Sequence, residues 1–173
     1  MCNALMGLLE TRRYKDITIK DITIKDICRE ADLSRQTFYQ IFDSKEEVIE
    51  YQFIRLFSVF RDECGYFENL SLRQLCCRFS AFFQDHSDLI GVMITNNMSY
   101  MLEKQFEHYL PQIDLFRDIN RTEEYPDYSV SFIAGALCQV LIHWYEKGMD
   151  LPAEELGAML EKNISGKLTG LPL

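Results

Sequence analysis

Four polar side chains within a span of six residues, Arg35, Gln36, Tyr39 and Gln40, carry the chemistry of base reading. The forked donors of an arginine match O6 and N7 of guanine, and a glutamine amide matches the paired groups on adenine. On a helix these four share one face, and Phe38, Ile41 and Phe42 fall on the opposite one at i, i+3 and i+4. An element with its aromatic side buried and Arg, Gln and Tyr presented outward suits the major groove of double-stranded DNA.

That face needs a scaffold, and the preceding residues supply one. Residues 23–42 read TIKDICREADLSRQTFYQIF. Thr23 caps a short helix whose buried positions are Ile24, Ile27, Cys28 and Ala31. Asp32, Leu33 and Ser34 form a tight turn, with Ser34 capping the second short helix. The arrangement is a helix-turn-helix with the second helix as reader.

Other chemistries have less to work with. The six cysteines (Cys2, Cys28, Cys64, Cys76, Cys77, Cys138) form no CxxC pair, the usage of reduced, buried thiols in a cytoplasmic protein. The histidines lack ligand spacing to them. There is no Gly-rich phosphate loop and no Ser/His/Asp spacing, so neither an enzyme nor a cofactor or metal site is expected. No secretory signal and no membrane-length apolar run are read from the sequence.

The chain has 173 residues, 47% of them hydrophobic, which suffices for a packed core without staples. Its net charge is −9. Residues 1–50 carry eight Lys/Arg against ten Asp/Glu, and the rest ten against seventeen. Grip on DNA must therefore come from a local cluster rather than from the global field.

Scarce Gly and Pro, with apolar residues recurring at three and four, predict an all-helical chain. Leu5, Leu8 and Leu9 mark a first helix ending near Arg13 and Tyr14. Ser44 and Glu47 form a capping box for a helix reaching about Cys64, roughly 30 Å long and able to bridge two sub-domains. Further helices are expected at about 71–84, 87–96, 98–117, 128–147 and 152–164, with a break at 123–127, Gly148 as a C-cap and Pro152 in the first turn of the last helix. The tail from Gly166 is expected to fray.

One stretch is unusual. Residues 16–20 read DITIK and residues 21–25 read DITIK again. Five residues are not a whole number of helical turns, so both copies cannot present the same face of one helix. The plainer reading is a longer connection before the second helix, and the sharper one is a perturbation of the first fifty residues.

The string LSRQTFYQIFDSKEEVIEY resembles the signature of TetR/AcrR-type transcriptional regulators, with Ser34, Thr37, Phe38, Tyr39, Phe42 and Lys45 in place. The ending HWYEKGMDLPAEEL looks like a Firmicutes-type branch of that family. Cys28 and Asp32 stand where the family usually has Ala and Gly, and relatives carry a single DITIK-like segment. The resemblance implies an all-α fold in two parts, a three-helix DNA-binding unit over 1–48 and a helical effector-binding and dimerisation domain over 49–173, joined by a long helix. By position, Thr37, Tyr39 and Lys45 resemble phosphate contacts, Arg35, Gln36 and Gln40 base readers, and Thr23 and Lys25 backbone contacts from the helix before, with the cap Ser34 also among the DNA-binding residues.

The aromatic and Met residues of the C-terminal part are mostly core, and Phe60, Phe83, Met93, Met101, Phe106 and Trp144 are candidates to line a cavity for an apolar or aromatic effector. The last two helices are the expected homodimer interface, Gly135 and Ala136 allowing close helix approach and the two-fold axis matching a palindromic operator. The expected function is a DNA-binding regulator, a repressor released by an effector. The alternative is a relative that has lost DNA binding and acts on another protein.

Overall fold

The computed structural model describes residues 1–12, 19–64, 70–113, 116 and 124–168, with side chains described over 1–9 and up to 165. The order is α1 (Cys2–Arg12), a 3-10 turn (Ile19–Asp21), α2 (Ile24–Glu30), α3 (Arg35–Tyr39), α4 (Lys45–Glu63), α5 (Leu72–Asp85) and α6 (Ser87–Thr95). Then come α7 (Tyr100–Tyr109), a 3-10 turn (Leu110–Gln112), α8 (Pro126–Glu146) and α9 (Ala153–Leu168). The fold is all-α. Arg13 and Tyr14, the first three residues of the first DITIK copy, and residues 169–173 lie outside the described residues.

α4 ties the two ends of the molecule together. Ser44 caps it by accepting the Glu47 N–H at 3.1 Å. The expected capping box is only half made, because the Glu47 carboxylate reaches one residue further back, to the Asp43 N–H. Val48, Ile49 and Phe53 bury the N-terminal half of α4, and Leu56, Phe57 and Phe60 bury the C-terminal half. Around Phe57 gather Phe83 and Phe106, with Tyr109 stacked at 5.2 Å and 4°. Such ring pairs add to area burial in holding the core together.

α9 packs chiefly on α5 and α8 chiefly on α7, while the last two helices touch each other little. Gly157 allows the first of these contacts: a Cβ there would meet the Cys77 backbone. Gly135 does nothing comparable within the protomer, its nearest neighbour being Glu103 Oε1 at 3.9 Å.

Several boundaries differ from the sequence reading. Pro126 does not break the chain but starts α8, where its missing N–H costs nothing. Pro152 precedes α9 and accepts the Leu156 N–H, acting as its cap rather than within its first turn. α9 runs past Gly166 to Leu168. Gly148 has φ +69° as expected of a C-cap, and Met149 follows at +56°.

α8 is also long and apolar enough by itself to cross a membrane, which corrects the expectation of no such run. Here it is a core helix with one open side. Ile133, Ala134, Leu137, Leu141 and Trp144 are buried, while Tyr128 and Phe132 stand 77% and 53% exposed.

Candidate nucleic-acid interface

The reading unit is built by caps. Thr23 accepts the Asp26 N–H on its hydroxyl at 3.2 Å, and Asp26 returns the bond to the Thr23 N–H at 3.1 Å, a complete capping box at the start of α2. The Thr23 hydroxyl also donates to Asp26 Oδ2 at 2.6 Å, so its one proton is already used. Ile27 and Cys28 are buried on the inner face of α2, while Ile24 and Ala31, expected with them, are half-buried at its two ends.

The turn after α2 needs a left-handed residue, and Asp32 takes it at φ 51°. That lets Leu33 N–H return to the Cys28 carbonyl and Asp32 N–H to Arg29. Asp reaches this region at smaller cost than most side chains, so it fills the place where the family usually has Gly.

Ser34 then caps α3, accepting the Thr37 N–H at 3.0 Å, and the two hydroxyls bond each other at 2.8 Å. One proton bridges them, which leaves the other free to donate outward. Phe38 is fully buried and meets Phe42 at 6.0 Å. Arg35, Gln36, Tyr39 and Gln40 are all exposed, as are Thr23 and Lys25 on α2. The expected outward face is therefore formed by the structure.

Two expectations are revised. Ile41 is 56% exposed rather than buried beside Phe38. α3 ends at Tyr39, and the Ile41 N–H closes a tighter i→i−3 turn to Phe38, which takes Ile41 off the helical period. Lys45 is at the start of α4 as expected, but its ammonium turns inward. It donates to the carbonyls of Ile19 at 2.6 Å, Ile22 at 2.8 Å and Lys20 at 3.3 Å. In this arrangement its three N–H groups are all engaged.

In the C-terminal part a wholly apolar cavity of about 40 Å³ lies among α4, α5, α7, α8 and α9. Phe57, Phe60, Phe79, Phe106, Leu137 and Leu160 are among its walls. Of the six residues expected to line a cavity, Phe60 and Phe106 do. Phe83, Met93, Met101 and Trp144 are buried elsewhere in the same core. Trp144 instead donates its indole N–H to the Leu151 carbonyl at 3.0 Å, closing the loop between α8 and α9. Periodicity shows that such residues are inside, not which of them border a void.

Cys76 also borders this cavity, and burial pushes its thiol up to about 12. The wall therefore carries no charge.

Comparison with known proteins matches two stretches of the chain. Residues 19–51 match a family model described as bacterial regulatory proteins, tetR family. Residues 71–166 match one described as transcriptional regulator C-terminal region. No curated protein matches the chain. Among solved structures, one titled "Dihydroxyacetone kinase operon activator DhaS" superposes with a TM-score of 0.62 at 15% identity, covering 97% of this chain and 93% of that one. At that identity the likeness is one of fold.

Proposed function

The chain belongs to the TetR family of bacterial transcriptional regulators, and from that premise we propose that it is a homodimeric, sequence-specific repressor released by an apolar or aromatic small molecule. The observation that carries this reading is the outward face of α3, with Arg35, Gln36, Tyr39 and Gln40 exposed on a helix whose other side is anchored by Phe38. Arg35, Gln36 and Gln40 read bases. Tyr39 and the Ser34–Thr37 hydroxyl pair hold phosphates, and Lys25 and Thr23 flank them from α2. Lys45 sits at a helix N-terminus, where a phosphate is favoured, but a phosphate there must compete with three carbonyls for its ammonium. The units are residues 1–48 and 49–173, and the ending of the chain fits the Firmicutes-type branch.

The partner of the open face of α8 is a second copy. Tyr128, Phe132, Ala136, Gln139 and His143 form an exposed stripe along that helix, and two such stripes related by a two-fold axis bury each other. The same axis sets two α3 helices against the halves of a palindromic operator.

The effector site is the apolar cavity. At about 40 Å³ it is too small for a ligand ring as it stands, so a ligand must displace side chains to enter. Phe57 and Phe60 of α4 border it, and the other end of α4 meets the reading unit. A ligand that moves these two rings tilts α4 and changes the spacing of the α3 helices, through its differential affinity for the two arrangements.

The rival reading, an interaction protein without DNA binding, draws on the inward Lys45 and the acidic balance of residues 1–50. One experiment separates them: titration of the chain with DNA from immediately upstream of its own gene at two salt concentrations, beside Tyr39→Ala. Binding that weakens steeply with salt and is lost in the variant supports the regulator. Binding no tighter than to random DNA supports the rival.

A further inference from the structure

The 3-10 turn ahead of α2 is held from two sides by side chains remote in sequence. Asn96, at the C-terminal end of α6, accepts the Ile19 N–H on Oδ1 at 2.6 Å across 77 positions. Its own Nδ2 donates to the Val92 carbonyl at 2.7 Å, which fixes the amide with its oxygen towards Ile19. From the other side Lys45 takes the Ile19 carbonyl. Both polar ends of Ile19 are thus tied, one to α6 and the other to the start of α4. Its side chain is 4% exposed.

α6 is itself braced against α8. The Tyr145 ring lies over the bare Cα of Gly91, so close that a Cβ there would fall 2.6 Å from the ring Cζ. A continuous set of packed and bonded groups therefore runs from Tyr145 on α8 through Gly91 and Asn96 to Ile19, and on through Lys45 and the Ile22 carbonyl to Thr23, the cap of α2.

We propose that Asn96 is a positioning residue for DNA binding: its amide transfers the position of α6 to the Ile19 peptide and so sets the reading unit against the rest of the protomer. This rests on the reading of the chain as a DNA-binding regulator. It also gives the duplicated DITIK a division of labour. Ile19, from the first copy, is the docking residue, and Ile22 and Thr23, from the second, seat and cap α2. The clamp straddles the joint between the copies.

The test compares the full-length chain with Asn96→Ala and Asn96→Asp, whose carboxylate still accepts the Ile19 N–H. Three quantities are read: hydrogen exchange at the Ile19 amide, affinity for the DNA fragment upstream of the gene, and thermal unfolding. In Asn96→Ala the Ile19 amide is expected to lose protection and DNA affinity to fall roughly five- to tenfold, as for one lost hydrogen bond, with the unfolding midpoint little changed. Asn96→Asp, which keeps the acceptor for the Ile19 N–H but loses the donor to the Val92 carbonyl, recovers part of both. Wild-type binding with unchanged affinity in Asn96→Ala overturns the proposal. So does a loss that tracks thermal unfolding equally in both variants, which marks a merely structural role. A wild-type chain that does not bind the fragment overturns the regulator reading and the proposal with it, while Ile19 exchange still reports whether the clamp exists.

Discussion

Gly157 sits so close to Cys77 that a Cβ at position 157 would lie 2.7 Å from the Cys77 Cα and 2.8 Å from its backbone nitrogen. A backbone cannot give way as a flexible side chain does, so α9 must move off α5 to accept any larger residue. Gly157→Ala is expected to lower stability by about 1–3 kcal/mol, the usual cost of overpacking, measured by urea unfolding. Gly135→Ala is the control, because its Cβ would meet only Glu103 Oε1 at 3.9 Å.

Arg35 and Tyr39 are exposed on the same short helix but have different proposed tasks. Arg35→Ala should weaken operator binding by about 1–3 kcal/mol and relax preference at one base position. Tyr39→Phe should weaken binding to all sequences alike. Selection from a randomised half-site library distinguishes the two patterns.

Phe132 and Tyr128 face outward from α8. Phe132→Glu places a charge in the proposed two-fold contact and should convert the dimer to monomer in sedimentation, leaving helical content unchanged. DNA affinity falls with it, since one protomer grips only a half-site.

Burial pushes the Cys76 thiol up to about 12 and the Cys138 thiol up to about 11, from the ordinary 9.0 of a free thiol. A thiol whose folded value is raised holds its proton longer in the folded state, so the stability it contributes is full below pH 9 and is lost as pH rises towards 12. Unfolding midpoints should fall through that window in the wild type and fall less in Cys76→Ala. At pH 8 both thiols should resist alkylation that labels the less buried Cys77.

Removing Asp21–Lys25 leaves one intact DITIK to cap α2 but moves Tyr14 and Lys15 into the places of Ile19 and Lys20. The Ile19 side chain fills a site only 4% exposed, and Tyr is far larger. The shortened protein is expected to melt several degrees lower, consistent with about 1–3 kcal/mol of overpacking in a domain of this size, and to bind operator DNA more weakly. Higher affinity than the wild type would instead make the duplication an impediment.

Local chemistry made much of this protein legible. Thr23, Ser34 and Ser44 act on N–H groups three residues away, so their caps could be read from the sequence alone, as could the helical period that buries Phe38 and exposes Arg35 and Tyr39. The left-handed turn at Asp32 follows from the same short range. Ile41 escaped because a helix of five residues ends before its period repeats.

What the tertiary structure decided are relations between residues far apart in the chain. No periodicity joins Asn96 to Ile19, assigns the Lys45 ammonium to three carbonyls, or picks Phe60 over Phe83 for the cavity wall. Nor could it show that Gly157 rather than Gly135 lies against the backbone of a neighbouring helix within the protomer. Helix caps and faces are set within a turn or two of the chain, whereas a void, a clamp or a crossing exists only once several helices have packed together.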